Sequence, residues 1–146
     1  MKKYDDYQKS MRYKYGYFSF LFLNSLLVLN YLLGLFFNLK WGATKELETM
    51  IILFVVGIFF ANACVYQNAY FHKNDDKKSY SWLFLIIGGI GLYTTYQTYL
   101  ISPEELIING EIGRGAIQLF SGLMFVSIPL TYFIRNRIDS KRNKDQ

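Results

Sequence analysis

The stretch from Tyr15 to Leu39, YGYFSFLFLNSLLVLNYLLGLFFNL, runs for 25 residues without a Lys, Arg, Asp or Glu. A helix rises about 1.5 Å per residue, so about 20 residues match a hydrocarbon core of about 30 Å. A soluble helix of this length needs a polar face that interrupts the apolar run every few residues, and this one has none. Three further stretches behave the same way: Thr49 to His72, Ser79 to Pro103 and Gly115 to Ile134, of 24, 25 and 20 residues. All 16 basic and 11 acidic residues of the chain fall between or beyond the four stretches. An unpaired charge in hydrocarbon costs several kcal/mol, so this segregation marks the segments for which lipid is the solvent. The runs do not alternate apolar and polar residues, which argues against a membrane β-barrel.

The fold expected is an all-α integral membrane protein: a compact antiparallel four-transmembrane-helix bundle in a single membrane domain, 1–146. Its spans are read at about 15–39, 49–72, 79–101 and 113–134, with a basic cytoplasmic tail at 135–146. Tyr4, Tyr7, Met11, Tyr15 and Phe18 recur at steps of three and four, which predicts an amphipathic N-terminal helix running into span 1. The apolar part of span 1 is far longer than a signal-peptide core of about 7–15 residues, so it is read as a retained span. The loops after spans 1 and 2 are short, so the spans they join should be antiparallel neighbours, with Trp41 as an interface anchor. Ser102, Pro103 and Glu105 have the pattern of a capped helix start, and Asn109-Gly110 that of a stop. A short interfacial helix at about 103–109 is therefore expected before span 4.

Orientation follows from the basic residues. The leader, the second loop and the tail share one side and carry 13 Lys and Arg, against Lys40, Lys45 and Arg114 on the other. This positive-inside bias puts both termini in the cytoplasm of a cell with a cytoplasmic membrane. The richness in Lys, Asn, Ile, Tyr and Phe is that of an AT-rich, bacterial coding bias. A basic excess beside spans is a topogenic signal with attraction to anionic headgroups, so nucleic acid is not read as a partner.

Helices in lipid associate through close packing and interhelical hydrogen bonds, so small and polar residues should line their contacts. The candidate packing seam is Gly34, Gly57, Ala61, Gly88, Gly91 and Gly122. Asn24, Asn30, Asn62 and Gln118 are amides within the apolar stretches, and an amide left unpaired there costs several kcal/mol. They form the candidate polar interior, either as interhelical glue or as the lining of a ligand cavity. Cys64 is the lone cysteine and His72 the lone histidine, too few for a metal cage. No catalytic, cofactor-binding or metal-ligating residues are identified, and no cofactor is called for. The spans contain no carboxylate for proton coupling. The expected function is that of a non-catalytic membrane protein acting through contacts: an accessory subunit, a membrane-anchored regulator or an immunity-type protein. Its partners would be the bilayer, a cytoplasmic or membrane protein, or further copies of itself. The alternative is a small oligomeric transporter or pore with a polar bundle interior.

Overall fold

The computed structural model describes residues 4–72 and 75–142. Four helices dominate it: α1 (Asp6–Phe37), α2 (Lys45–Tyr66), α3 (Lys77–Ile101) and α4 (Ala116–Arg142). A 3-10 turn (Pro103–Glu105) and a small hairpin, β1 (Ile107–Ile108) with β2 (Glu111–Ile112), precede α4. α1, α2 and α4 are each long and apolar enough to cross a membrane. α3 has 25 residues but carries Tyr93, Tyr96, Tyr99, Gln97 and three glycines, so no stretch of it is as apolar as those of the other three.

The helix ends explain where the segments expected from sequence shift. At the start of α1 the Asp5 carboxylate accepts from the Gln8 N–H at 2.7 Å, and the Gln8 side chain accepts from the Asp5 N–H at 3.3 Å. This capping box starts a single helix of 32 residues, about 48 Å long, that absorbs both the amphipathic leader and the first span. α2 starts at Lys45, where Thr44 Oγ1 accepts from the Leu47 N–H, and ends at Tyr66 rather than His72. There Ala69 N–H donates to the Cys64 carbonyl and Asn68 N–H to that of Val65, with Asn68 in the left-handed region, the pattern of a Schellman stop. The basic tail is not a separate segment: α4 continues through it to Arg142, and 143–146 lie outside the described residues.

α3 is capped by Asp76, whose carboxylate accepts from the Ser79 hydroxyl at 2.7 Å and from the Lys78 and Ser79 N–H groups. The Ser79 side chain foremost, then those backbone groups, hold the Asp76 carboxyl below the usual carboxylate range. The cap therefore contributes fully at neutral pH and is lost as pH falls through that lowered value. Asp76→Asn should leave stability at pH 7 slightly lower and flatten its acid dependence, as thermal unfolding between pH 3 and 7 would show.

The interfacial helix expected at 103–109 is not formed. Only one 3-10 turn follows Pro103, Ser102 makes no side-chain cap, and the chain then doubles back as a hairpin. Asn109 (φ 51°) and Gly110 (φ 85°) both sit in the left-handed region, as a two-residue hairpin turn requires. β2 also pairs with the loop between α1 and α2: Ile112 N–H donates to Trp41 O at 2.8 Å, and Ala43 N–H to Ile112 O at 2.9 Å.

α1 packs along α2, α2 along α4 and α4 along α3, giving a lateral order α1–α2–α4–α3. The expectation that α2 and α3 are packed neighbours fails, because α4 lies between them. Their connecting loop supplies Phe71, which joins Ala61, Val65 and Ile128 in the core, with Tyr70, Phe84 and Tyr132 packed against it. Most of the apolar side chains along α1 point outward, among them Phe20, Val28, Tyr31, Leu35 and Phe36. Two ends result. The leader end gathers the start of α1, the α2–α3 loop and the C-terminal part of α4; the hairpin end gathers the α1–α2 loop, β1, β2 and the start of α4.

Candidate functional site

At the hairpin end the dominant feature is Glu48, in the first turn of α2 and with no solvent exposure. A carboxylate buried alone costs several kcal/mol, so its partners decide whether the site is stable. One oxygen accepts from the Trp41 and Gly42 N–H groups at 3.2 and 3.3 Å. The other accepts from Asn30 Nδ2 at 2.9 Å and from Lys45 Nζ at 3.0 Å. Asn30 Oδ1 in turn accepts from the Trp41 indole N–H at 2.6 Å. One carboxylate thus ties together α1, the first loop and α2. Sequence reasoning found Asn30 and Trp41 but left Glu48 among the loop charges. The signal was there, since an acid in the first turn of an apolar helix faces the positive end of the helix dipole.

Beside this network lies a cleft of about 360 Å³ between α1 and α2, lined by Leu27, Asn30, Tyr31, Gly34, Lys45 and Thr49. A side chain at Gly34 would begin 3.2 Å from Lys45 Nζ, so the missing side chain keeps the cleft open.

Asn62 lies between α2 and α4. Its Nδ2 donates to Ser127 Oγ at 2.9 Å and its Oδ1 accepts from Thr131 Oγ1 at 2.8 Å. Nδ2 also reaches the Ile58 carbonyl of its own helix. The amide is thereby satisfied by the opposite helix. Interhelical hydrogen bonds in membranes average about 0.6 kcal/mol each, so Asn62→Leu should cost about 1 kcal/mol in detergent thermal unfolding.

Asn24 and Gln118 are not interior. Asn24 is exposed and donates to the Phe20 carbonyl one turn back. The less exposed face of α1 runs through Gln8, Arg12, Ser19, Leu23, Leu26 and Asn30, so Asn24 is rotated off it by one residue, about 100°. Gln118 is exposed as well, and it is its backbone carbonyl that faces Gly91. The four amides therefore do not converge on one cavity: Asn30 serves the hairpin end and Asn62 the middle of the α2–α4 contact.

The seam residues divide in the same way. Gly88 and Gly91 of α3 meet Gly122 and Val126 of α4 at backbone distance. Gly57 faces Met124 of α4, and Ala61 is buried in the core beside it. Gly34 belongs to the α1–α2 cleft instead.

At the leader end Gln8, which sequence reasoning missed, is nearly fully buried. Its Nε2 donates to the carbonyls of Asn68 and Phe71 at 2.8 and 3.1 Å, docking the start of α1 on the α2–α3 loop. Gln8→Leu strands both carbonyls and removes half of the capping box, which should cost about 2 kcal/mol by the same unfolding measurement.

Among the described residues no three His, Cys, Asp or Glu side chains cluster as metal ligands would. No protein-family model matches the chain, and no similar curated protein or solved structure was found.

Proposed function

We propose that the chain is a polytopic protein of the cytoplasmic membrane of a bacterium. It crosses four times with both termini in the cytoplasm and acts through protein contacts rather than catalysis, as an accessory subunit, an anchored regulator or an immunity-type protein. The observation that carries this reading is the outward-facing apolar surface along the middle of all four helices. Phe20 and Val28 of α1, Leu53 and Phe59 of α2, Ile86 and Ile90 of α3, and Leu123 and Leu130 of α4 are all exposed. Water would leave that surface uncovered at a cost of about 25 cal/mol per Å², whereas lipid covers it. α3, which lacks so apolar a stretch, has α4 against its glycine face, and this leaves its isoleucines for the bilayer. The basic ends supply the contact surface on the cytoplasmic side.

A periplasm-active phosphatase should be inactive when fused after Gln146 and active when inserted after Gly110, in the hairpin turn. The reverse pattern would sink the orientation. An affinity-tagged chain should co-purify a defined partner that is lost on deleting 135–146; an unchanged partner set would count against the tail as a contact surface.

A second reading, a small oligomeric transporter or pore, is favoured by one observation, the buried Glu48 beside an open cleft. It requires substrate-dependent flux in proteoliposomes that falls in a Leu27→Trp variant, which fills the cleft from a position that makes no hydrogen bond to Glu48.

A further inference from the structure

We propose, on the strength of the membrane reading above, that the cleft at the leader end binds the headgroup of an aminophospholipid, with its phosphate on Arg12 and its ammonium group on Asp75.

This cleft measures about 360 Å³ and is lined by Tyr4 just before α1, by Arg12 of α1, by Tyr70, His72 and Asp75 of the α2–α3 loop, and by Tyr80 of α3. That volume lies in the range of small-ligand pockets, about 300–1,000 Å³. Its polar groups are unspent. The Arg12 guanidinium lies 4.3 Å from the centre of the Tyr4 ring and makes no ion pair or hydrogen bond among the described residues. The neighbouring base Lys9 is paired with Asp6. His72 packs on the same Tyr4 ring at 4.1 Å, and its Nδ1 is buried without a partner among the described residues. The hydroxyls of Tyr4, Tyr70 and Tyr80 also lack hydrogen bonds among the described residues. Of these groups His72 Nδ1 is the one closed to solvent, and a buried polar atom is rarely left unmatched in native proteins, so the cleft offers a polar occupant this atom together with the solvent-facing guanidinium and hydroxyls.

The charges select its class. Asp75 accepts the His72 N–H at 3.0 Å through one oxygen, and its other carboxylate oxygen makes no hydrogen bond among the described residues. A simple anion would meet Asp75 and a simple cation would meet Arg12, whereas a zwitterion satisfies both. A guanidinium fork suits phosphate oxygens, and a primary ammonium gives a carboxylate N–H donors that a trimethylated one lacks. The cleft opens at the helix ends, beside the tyrosines of the leader and the start of α3, where the four-span reading puts phospholipid headgroups.

The test is native mass spectrometry of the full chain in detergent, titrated with phosphatidylethanolamine, phosphatidylcholine and phosphatidylglycerol of identical acyl chains. Phosphatidylethanolamine should bind about tenfold more tightly than either of the others, a difference of one decade in Kd. Asp75→Asn, which keeps the oxygen that accepts the His72 N–H, should abolish that preference while phosphate binding persists. Arg12→Gln should weaken all three lipids. Equal affinities for the three lipids in the unaltered protein would overturn the proposal, as would an undiminished preference in Asp75→Asn. The Asp75→Asn ratio decides the matter alone where Arg12→Gln fails to fold. Soluble glycerophosphoethanolamine that competes as tightly as the lipid would overturn the lipid assignment in favour of a free phosphoethanolamine compound. A failed preference leaves the phosphatase-fusion result untouched, so the two readings fail separately.

Discussion

Replacing Glu48 with leucine is expected to destabilise the detergent-solubilised protein by about 3–5 kcal/mol, because it strands several buried and part-buried donors at once. The buried Gly42 N–H and the part-buried Trp41 N–H and Asn30 amide would lose their acceptor, while Lys45, more than half exposed, can turn to solvent. Milder variants rank on the same grounds. Glu48→Gln keeps an oxygen for the two backbone groups and should cost less, and Lys45→Gln should cost least, since an exposed ion pair contributes about 0–1 kcal/mol. Thermal unfolding of the three variants in one detergent measures the order. Equal losses for Glu48→Leu and Lys45→Gln would mean that the ion pair, not the convergence of donors, holds the hairpin end together.

The second large effect is expected at Gly88. A methyl group there would begin 2.6 Å from a Val126 methyl, 2.8 Å from the Val126 nitrogen and 3.0 Å from the Gly122 carbonyl. Two of those three neighbours are backbone atoms and cannot swing aside, so Gly88→Ala must push α3 away from α4. Overpacking costs about 1–3 kcal/mol where side chains can adjust, and this contact belongs at the upper end. Gly89 provides the internal control: a methyl group there meets nothing within 4 Å. Gly89→Ala should be neutral or stabilising by up to about 1 kcal/mol through helix propensity. Two adjacent glycines with opposite outcomes would establish the α3–α4 contact face; equal shifts would refute it.

Much of the architecture was legible in the sequence because charge segregation is a one-dimensional signal. Four uncharged stretches yielded four helices, and the small-residue steps at Gly88, Gly91 and Gly122 marked a real helix contact. What the sequence hid was set by pairing in space. Asn109-Gly110 reads equally as a helix stop or a hairpin turn, and the β-branched Ile107, Ile108 and Ile112 around it should have favoured the hairpin. On α1 polarity singled out Asn24 and Asn30 alike, while the contact face is set by what α2 offers, namely Glu48 to Asn30. Glu48 and Gln8 were missed for the same reason. Glu48 adjoins an apolar stretch and Gln8 lies in the charged leader, two settings where a polar residue looks solvated until the partner segment is placed over it. Lateral order was the least legible feature, since short loops restrict which helices are antiparallel but not which helix slots between them.

The pairing of Gly42 with Ile112 has a consequence for how the molecule assembles. One partner belongs to the loop between the first two helices and the other to the loop between the last two, so the bond cannot form until both helical pairs stand side by side. Long-range closures of this kind are made late, after the local contacts that bring their ends together. The hairpin end is thus a seal applied last, over a Glu48 network whose partners all lie between Asn30 and Glu48. A chain interrupted before β2 would leave Trp41 and Ala43 without their strand partner, so correct completion is written into the backbone of a two-residue hairpin.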